Sequence, residues 1–215
     1  MKQKALLIFG AGGHAKVIAD LARKSGREIV GFIDDVDLTR TGAKFFGGTV
    51  FAGIEAATQA QKSDNNFEVI IAVGDCKARC KIAASLEKSG IPLASLVHPA
   101  AVLAADVKIG KGTVVIAGAI INPGSKIADN AIINTAASID HDCTIRKGAH
   151  VGPGARLGGK VSIGSESWIG IGAIIKDRVS IGNSCVIGAG ALVLKDVPDN
   201  TIAYGSPATA AGVNP

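Results

Sequence analysis

The chain has 215 residues, of which 47% are hydrophobic and 19% charged, and its formal net charge is +5. These values allow a sizeable core, so they exclude a disordered protein and favour one large or two small domains. No basic run is interleaved with aromatic residues, which argues against a nucleic-acid partner, and no apolar stretch is long enough to span a membrane. The positive charge suits an anionic small molecule, but it is equally ordinary for a mildly basic soluble protein.

The N-terminus and the cysteines predict a cytoplasmic protein. The apolar run over 5–9 follows two lysines, but it is too short for a signal peptide and glycines come directly after it. The four cysteines include no CxxC pair, so the sequence predicts neither a zinc knuckle nor a disulfide framework. We therefore expect free thiols in a reducing compartment.

The first part of the chain alternates predicted strands and helices. Short aliphatic runs bounded by Gly, Asp and Pro predict the strands, and amphipathic spacing predicts the helices. In chain order these are a strand over 5–9, a helix that ends at Gly26, a strand over 28–33, a loop with a short strand over 36–53, a helix over 54–62, a strand over 68–73, a helix over 77–88 and a strand over 93–97. This alternation predicts a small, Rossmann-like α/β domain with a parallel sheet over residues 1–97.

A glycine-rich turn joins the first strand to the first helix. In Gly10-x-Gly12-x-x-Ala15 the glycines permit a tight turn and the close approach of a phosphate, and the helix N-terminus presents backbone N–H groups to an anion. Asp34 and Asp35 end the second strand, where a carboxylate can accept hydrogen bonds from nucleotide donors. The pattern favours a nucleotide-binding site over a ligand-free βα turn. NAD also fits the turn, but no catalytic domain of dehydrogenase type follows.

The second part of the chain repeats every six residues. From Ile109 to Val193 every sixth residue is a branched aliphatic, with no break in register, and a small residue often follows it. This period is typical of a parallel β-helix, in which three hexads make one coil and the aliphatic side chains stack inward. A glycine after the aliphatic residue leaves space where a Cβ would obstruct the corner. We predict the β-helix over residues 98–215, with a short tail beyond Pro198 that ends loosely.

Two of the four histidines lie in the repeat, His141 between Asp140 and Asp142, and His150 nine residues later. An imidazole beside a carboxylate is held in one tautomer and its charged form is stabilised, which suits a general base. Neighbouring residues in a strand point to opposite faces, so Asp142 can reach His141 only if the pair lies at a corner. The alternative is a solvated polar cluster on one side of the prism.

The positions of the histidines predict one further contact to a ligand and no metal site. His14 follows the glycines directly, and this position favours a contact to the phosphates or the sugar of a nucleotide over an exposed loop histidine. His98, His141 and His150 lack the close histidine pair that is typical of β-helical carbonic anhydrases, so we predict no metal.

Taken in order, the motifs resemble those of one family over the whole chain. They are Gly10-Ala11-Gly12-Gly13-His14-Ala15-Lys16, Gly31-Phe32-Ile33-Asp34-Asp35, Ala72-Val73-Gly74-Asp75, Asn134-Thr135, Asp140-His141-Asp142, His150-Val151-Gly152-Pro153-Gly154 and Gly205-Ser206-Pro207-Ala208. The chain resembles the sialic acid O-acetyltransferase NeuD-like family, which includes the nucleotide-sugar N-acetyltransferases PglD and PerB. The resemblance implies a left-handed β-helix, a homotrimer and an acetyl-CoA-dependent transferase of glycan biosynthesis. It implies as acceptor the amine of a nucleotide-linked 4-amino-4,6-dideoxy sugar, with UDP as the favoured nucleotide and GDP, as in GDP-perosamine, next.

The same resemblance implies the site residues. The nucleotide sugar would lie in the N-terminal domain, acetyl-CoA in the groove between adjacent prisms, and His141 would be the general base, oriented by Asp142. The implied nucleotide-sugar positions are Gly12, Gly13, His14, Asp34, Asp35 and Gly74; the acetyl-CoA positions are His150, Ile171 and Ala189; and the oxyanion donor is the backbone N–H of Gly159.

The chain departs from the family pattern at two positions. Relatives often have glutamate where this chain has Asp142, which has a shorter reach. They commonly have a lysine or arginine where this chain has Thr209, so Lys176 or Lys195 are the alternative contacts for the CoA phosphates.

Two other functions stay open at this point. O-acetylation of a sialic acid or another sugar hydroxyl would use the same base and the same co-substrate. A non-catalytic nucleotide-sugar-binding scaffold would retain the N-terminal site without binding or consuming acetyl-CoA. The acidic cluster around His141 argues against the scaffold.

Overall fold

The computed structural model describes residues 4–56, 59 and 67–214, and the chain divides into two compact units, Met1–Leu96 and Val97–Pro215. Among the described residues of the first unit, five strands form one sheet, and the connections between them include two long helices and a 3-10 turn. These are β1 (Ala5–Phe9), α1 (Gly13–Lys24), β2 (Ile29–Asp34), the 3-10 turn Leu38–Arg40, β3 (Lys44–Phe45), β4 (Gly48–Ala52), β5 (Phe67–Ile71) and α2 (Cys76–Lys88).

The sheet order is β3-β4-β2-β1-β5, with parallel pairing everywhere except between β3 and β4. Strand β1 lies in the interior of the sheet because it is apolar on both faces: Leu6, Leu7, Ile8 and Phe9 are at most 1% exposed. A strand covered on both faces reads as a continuous hydrophobic run, which is why its position could be predicted. The predicted Rossmann-like α/β unit is confirmed.

The structure differs from the predicted elements at three places. Strand β4 joins β2 and widens the sheet, although residues 36–53 were predicted as loop with one short strand. The predicted helix over 54–62 is helical at 53–56, and most of the rest lies outside the described residues. The predicted strand over 93–97 is wrong, since Leu93 forms a single bridge to Val69 and Leu96–Val97 is the first strand of the β-helix. The sixfold spacing of aliphatic residues reaches back to Val97 and accounts for this assignment.

The β-helix consists of two-residue strands separated by turns. Its strands are β6 (Leu96–Val97), β7 (Val102–Leu103), β8 (Lys108–Ile109), β9 (Val114–Val115), β10 (Ile120–Ile121), β11 (Lys126–Ile127), β12 (Ile132–Ile133), β13 (Ser138–Ile139), β14 (Thr144–Ile145), β15 (His150–Val151), β16 (Arg156–Leu157), β17 (Ser162–Ile163), β18 (Trp168–Ile169), β19 (Ile174–Ile175), β20 (Ser180–Ile181), β21 (Val186–Ile187) and β22 (Leu192–Val193).

Three parallel sheets form the sides of the left-handed prism. The first side runs from β6 through β9, β12, β15 and β18 to β21, the second from β7 through β10, β13, β16 and β19 to β22, and the third from β8 through β11, β14 and β17 to β20. Residues 18 apart pair from coil to coil, as Ile121 does with Ile139 and Ile139 with Leu157. The inward aliphatic ladder is therefore the hydrophobic core of this unit, as the repeat predicted.

Two backbone features form the corners. From Gly112 to Gly190 every sixth residue has a positive φ, and half of these residues are not glycine. The glycines after the aliphatic residues are required for a different reason, which is that the next coil packs directly against them. A Cβ at Gly152 would lie 2.5 Å from the Ile169 carbonyl oxygen. The predicted obstruction of a Cβ at this position is therefore confirmed.

The C-terminal tail is ordered. Strands β23 (Thr201–Gly205) and β24 (Ala208–Val213) form an antiparallel hairpin, and β23 continues the first side of the prism by pairing with β21. The predicted loose end is wrong, because the hairpin provides backbone partners for the last coil. Within the described residues, no helix is long and apolar enough to cross a bilayer.

Candidate functional site

The His141–Asp142 pair lies at the corner between the second and third sides, where β13 ends and β14 begins. Asp142 occupies one of the corner positions with positive φ, at 58°. Its Oδ2 lies 2.9 Å from Nδ1 of His141, and each side chain is about half exposed, at 53% for His141 and 55% for Asp142. The corner thus lets two sequence neighbours face each other, which a flat strand forbids.

A second carboxylate fixes the backbone of the histidine. Oδ1 of Asp140 accepts hydrogen bonds from the His141 N–H at 2.7 Å and from Nδ2 of Asn122, one coil away, at 2.9 Å. The hydrogen bond from Asn122, and next the one from His141, hold the pKa of the Asp140 carboxyl below its usual range. Asp140 is therefore ionised, and its carboxylate is engaged by Asn122 and by the backbone of His141. Asp142 is the carboxylate that contacts the imidazole.

Gly159 stacks directly on His141, one coil further along. A Cβ at residue 159 would lie 2.5 Å from Nε2 of His141, so the imidazole occupies the space that any other residue would need. Within the described part of the chain, the Gly159 N–H makes no hydrogen bond, whereas the N–H groups of Thr135 and Ser165 at equivalent corner positions donate to side chains. A backbone donor and an imidazole thus lie side by side.

His150 lies on the first side of the prism, in β15. It is buried, stacks on Trp168 with ring centroids 6.1 Å apart, and its Nε2 lies 3.0 Å from Nδ2 of Asn134. Oδ1 of Asn134 accepts the Thr135 N–H, so Nδ2 faces His150 and donates to Nε2. Because Nε2 accepts, the proton of the neutral imidazole is on Nδ1.

The predicted acetyl-CoA residues do not meet His141 within one chain. Ile171 and Ala189 are stacked, exposed residues at the corner between the first and second sides. They follow β18, which pairs with the His150 strand, and β21, which pairs with β18. His141 and Gly159 lie at the next corner, and the second side separates the two groups. Within one chain, the predicted residues therefore fall into two groups, one on the first side and its corner with the second side, and the other at the next corner.

The residues considered for the CoA phosphates are all at the surface. Thr209 is exposed in β24, opposite Tyr204. Lys176 and Lys195 are exposed at the same corner as His141, and the side-chain ammonium group of neither forms a hydrogen bond or an ion pair with a described residue. Their position makes these lysines available to an anion, but it does not place them beside His150.

The glycines of the first unit fall into two kinds. Gly10 has a φ of +120°, and a Cβ there would lie 2.9 Å from the Ala72 carbonyl oxygen, so the close packing of β5 requires glycine. Gly12, Gly13 and Gly74 are exposed, and a Cβ at any of them would meet no atom within 4 Å. Internal packing does not explain these three glycines, and all lie at the carboxyl edge of the parallel sheet, where ligands of such folds bind.

The two acidic residues after β2 have different roles. Oδ1 of Asp34 accepts the Val36 and Asp37 N–H groups, and Oδ2 accepts Nη1 of Arg40 at 2.8 Å. Burial opposes ionisation of Asp34, but these hydrogen bonds and the Arg40 cation outweigh it and lower the pKa of its carboxyl. The carboxylate of Asp34 is therefore committed to its own loop.

Asp35 is the acidic residue with an available carboxylate. It is exposed and makes no hydrogen bond or ion pair with the described residues. It lines a cavity of about 410 Å³ together with Leu38, Ile54 and Lys81. Of the two acids predicted from sequence, Asp35 is the one with room to contact a ligand.

His14 lies in the first turn of α1 and is largely buried. Burial, and next the charge of Arg79, lower the pKa of its imidazole from 6.5 to about 4. His14 is therefore neutral at pH 7 and can exchange hydrogen bonds with uncharged groups, but it brings no positive charge to a phosphate.

Among the described residues, neither the thiols nor a cluster of acidic and histidine side chains forms a second reactive site. Cys143, next to the His141 corner, is buried, and burial raises the pKa of its thiol, so it is not a ready nucleophile. All four cysteines are buried. Among the described residues, no group of three or more His, Cys, Asp and Glu side chains is arranged to hold a metal ion.

Sequence reasoning missed three residues with close contacts to the candidate sites. Asn122 precedes Asp140 by 18 residues, one coil, and that spacing could have indicated it. Arg40 bridges Asp34 and the Ala11 carbonyl oxygen, but no sequence pattern marks it. Arg79 lies at a core position of α2, and an arginine at an otherwise apolar helix position could have indicated a buried, hydrogen-bonded cation.

Comparison with known proteins agrees with this architecture. Residues 5–86 match the profile of the PglD N-terminal domain, and residues 160–195 match that of the bacterial transferase hexapeptide in six repeats. The structure of PerB from Caulobacter crescentus, in complex with CoA and GDP-perosamine, is similar over 97% of each chain, with 35% identity and a TM-score of 0.90. The acetyltransferase domain of PglB from Neisseria gonorrhoeae, in complex with acetyl coenzyme A, is similar over 98% of this chain and 100% of that one, with 37% identity and a TM-score of 0.89.

A curated relative is similar over a shorter stretch. UDP-N-acetylbacillosamine N-acetyltransferase from Bacillus subtilis is 34% identical over 116 residues, and the chain spans about half of that relative, 52% of its length.

A Rossmann-like unit followed by a hexapeptide β-helix with an exposed acid–histidine corner defines a hexapeptide-repeat acyltransferase. Within that class, the similarity to the Caulobacter and Neisseria proteins covers nearly the whole chain. The chain belongs to the NeuD/PglD/PerB-like family of sugar acetyltransferases.

Proposed function

We propose that this protein transfers the acetyl group of acetyl-CoA to the amine of a nucleotide-linked 4-amino-4,6-dideoxy sugar. The observation that carries the proposal is the 2.9 Å contact between His141 and Asp142 at an exposed corner, stacked on the backbone of Gly159. The complexes of the relatives with CoA, acetyl-CoA and GDP-perosamine support the substrate classes. UDP is the first expectation for the nucleotide, supported by the Bacillus relative, and GDP the second.

The tautomer of His141 suits a general base. A carboxylate only accepts hydrogen bonds, so Nδ1 carries the proton that Asp142 accepts, and Nε2 is left with a free lone pair. As the sugar amine attacks the carbonyl carbon of the thioester, Nε2 takes a proton from the amine nitrogen. Asp142 stabilises the imidazolium that forms.

The Gly159 N–H is the donor for the developing oxyanion. A preorganised backbone donor at that place stabilises the tetrahedral intermediate without reorganisation during the reaction. When the intermediate collapses, the carbon–sulfur bond breaks, and the proton held by His141 neutralises the departing thiolate. The amide and the CoA thiol are the products. No acyl-enzyme forms, because both substrates bind together and proximity contributes to the rate.

The nucleotide site is at the carboxyl edge of the first unit. Gly12, Gly13 and Gly74 leave the backbone open to a diphosphate, and Asp35 offers a carboxylate to donors of the ribose or the base. His14 contributes as a neutral hydrogen-bonding group. The role of Asp34 is to hold the loop that carries Asp35.

We also propose a homotrimer in which acetyl-CoA lies between adjacent prisms. Within one chain, one side of the prism separates His141 from His150, Ile171 and Ala189. An acetyl-CoA that contacts both groups therefore needs His141 from one subunit and the other three residues from its neighbour. Mixed trimers test it: subunits carrying His141→Ala and subunits carrying Ile171→Glu, each inactive alone, should regain activity when refolded together. If mixing restores nothing, the shared site is wrong.

The function is tested by acetyl-CoA consumption with UDP-, GDP- and dTDP-linked amino sugars, each beside its hydroxyl counterpart. We expect turnover with one of the amino sugars and none with the hydroxyl compounds. We expect His141→Ala to lose that turnover while keeping its oligomeric state. Turnover of the hydroxyl acceptors alone would replace this proposal with O-acetylation.

A further inference from the structure

Arg79 is a fully buried arginine whose side chain the reaction described above does not use. Its exposure is 0%, and it lies on the face of α2 that also carries Cys76, Cys80, Ala83 and Leu86. A guanidinium is charged at every accessible pH, and burying it is costly unless its donors are hydrogen-bonded. Its place on an apolar helix face therefore calls for a specific set of acceptors.

The acceptors include three consecutive backbone carbonyls. Nη1 of Arg79 donates to the carbonyl oxygens of Val73 at 3.0 Å, Gly74 at 2.9 Å and Asp75 at 3.2 Å. These residues form the loop between β5 and α2. Because a trans peptide is planar, a carbonyl that points to the guanidinium directs the N–H of the same peptide to the opposite side. Arg79 thus sets the orientation of three successive peptide groups.

This loop lies beside the glycine-rich turn. Strands β1 and β5 pair along their whole length, and the Ala72 carbonyl oxygen lies against Gly10. The loop that Arg79 holds and the turn that carries Gly12 therefore end neighbouring strands at the same edge of the sheet. The two stretches contain three exposed glycines that internal packing does not explain.

The charge of Arg79 also acts on this edge. Its positive charge, second to burial, lowers the pKa of the His14 imidazole, so His14 and the guanidinium are close enough to interact electrostatically. His14 follows Gly13 at the start of α1. A buried cation near the first turn of that helix adds to the positive end of the helix dipole.

We propose that Arg79 is a positioning residue of the nucleotide-sugar site, which fixes the 73–75 loop and provides a buried positive charge for the diphosphate. The inference rests on the proposed function, because it takes the carboxyl edge of the first unit as the nucleotide site. Arg79 acts through the loop and through its field, without touching the substrate.

The test compares Arg79→Gln and Arg79→Lys with the unaltered chain in calorimetric binding of UDP and of GDP. Loss of charge-assisted hydrogen bonds predicts a rise in Kd of about tenfold to a hundredfold for the glutamine variant. The lysine variant keeps the charge but not the fork of donors, so we expect a smaller rise. In turnover, KM for the nucleotide sugar should rise, while kcat and KM for acetyl-CoA stay within about twofold.

Arg27→Gln is the matched control. Arg27 is also largely buried, and it donates to the Lys4 carbonyl oxygen and to Glu68 at the opposite, amino-terminal end of β1 and β5. The variant removes a buried arginine from the same sheet, so it should lower Tm but leave the Kd for UDP and GDP unchanged.

A proton readout separates positioning from mere stability. In an NMR titration, the pKa of His14 should rise in Arg79→Gln, because the cation that lowers it is gone, and should stay low in Arg79→Lys. Unchanged nucleotide affinity in both variants, with only Tm lowered, refutes the inference. If the glutamine variant does not fold, the lysine variant decides by the same criterion. If the unaltered chain binds neither nucleotide, it is the proposed function that fails.

Discussion

The stacking of Gly159 on His141 makes a methyl group the sharpest probe of the site. In Gly159→Ala the new Cβ would begin 2.5 Å from Nε2, 2.8 Å from Cε1 and 3.1 Å from Cδ2 of His141. Ordinary contact begins at 3.4 Å, so the imidazole must move by about 0.9 Å. The φ of Gly159 is not in the left-handed region, so alanine fits the backbone there. A displacement of this size in a catalytic group costs about 10²-fold in rate.

The assay is kcat from the release of the CoA thiol at saturating concentrations of both substrates, together with Tm. We expect kcat to fall about 10²-fold in Gly159→Ala with the fold intact. Gly164→Ala is the control: its Cβ would meet the Gly182 carbonyl group in the next coil, at a corner without catalytic candidates, so it should lower Tm and leave the kcat of the folded protein unchanged. If Gly159→Ala keeps kcat within twofold, the position of the His141 ring does not limit the reaction and the assignment of the base is wrong.

Four further substitutions test separate parts of the argument. Asp142→Asn keeps a residue type that tolerates positive φ but loses the charge that stabilises the imidazolium, so kcat should fall by roughly 10²-fold or more at unchanged Tm. Asp35→Asn should raise KM for the nucleotide sugar several-fold without changing Tm, as judged by initial rates and thermal unfolding. Asp34→Asn should instead lower stability by about 1.5–3 kcal/mol in denaturant unfolding at pH 7. Because the folded state lowers the pKa of Asp34 below 3.8, that difference should be present above this pH and disappear as the pH falls through the folded pKa. The folded state lowers the pKa of His14 from 6.5 to about 4, so as the pH falls the unfolded chain binds a proton at this residue before the folded chain does. The free energy of unfolding should therefore decrease as the pH drops from 6.5 towards 4. A smaller decrease of Tm over this window in His14→Gln supports this, and an equal decrease contradicts it.

Much of the fold could be predicted because the hydrophobic residues of each unit follow a local pattern along the chain. The sixfold spacing places every inward aliphatic residue, and coil pairing at 18 residues follows from three hexads per coil. The errors fall where the pattern is weak. Strand β4 is short and only one of its residues is buried, so its pairing with β2 leaves little trace in the sequence. The tail hairpin depends on pairing with β21, which local composition does not report.

The candidate site was predictable in composition but not in geometry. The sequence does not distinguish Asp34 from its neighbour Asp35. In the structure the carboxylate of Asp34 accepts hydrogen bonds from Arg40 and from two backbone N–H groups, while that of Asp35 is available. Similarly, Asp140 and Asp142 flank His141 symmetrically in sequence. The corner turns Asp142 to the imidazole and Asp140 to the backbone and to Asn122.

The sequence by itself determined the two architectures and the residue types of the site, because hydrophobic period and glycine placement are local properties that the chain carries along its length. Only the tertiary structure decided which carboxylate serves which partner, that Gly159 must be glycine because His141 occupies its side-chain space, and that a buried Arg79 holds the 73–75 loop. Some of those contacts join residues a whole coil apart, and others depend on the direction that the backbone takes at a corner or in a loop. Their energies depend on distance, direction and burial, which exist only once the coils and strands have stacked.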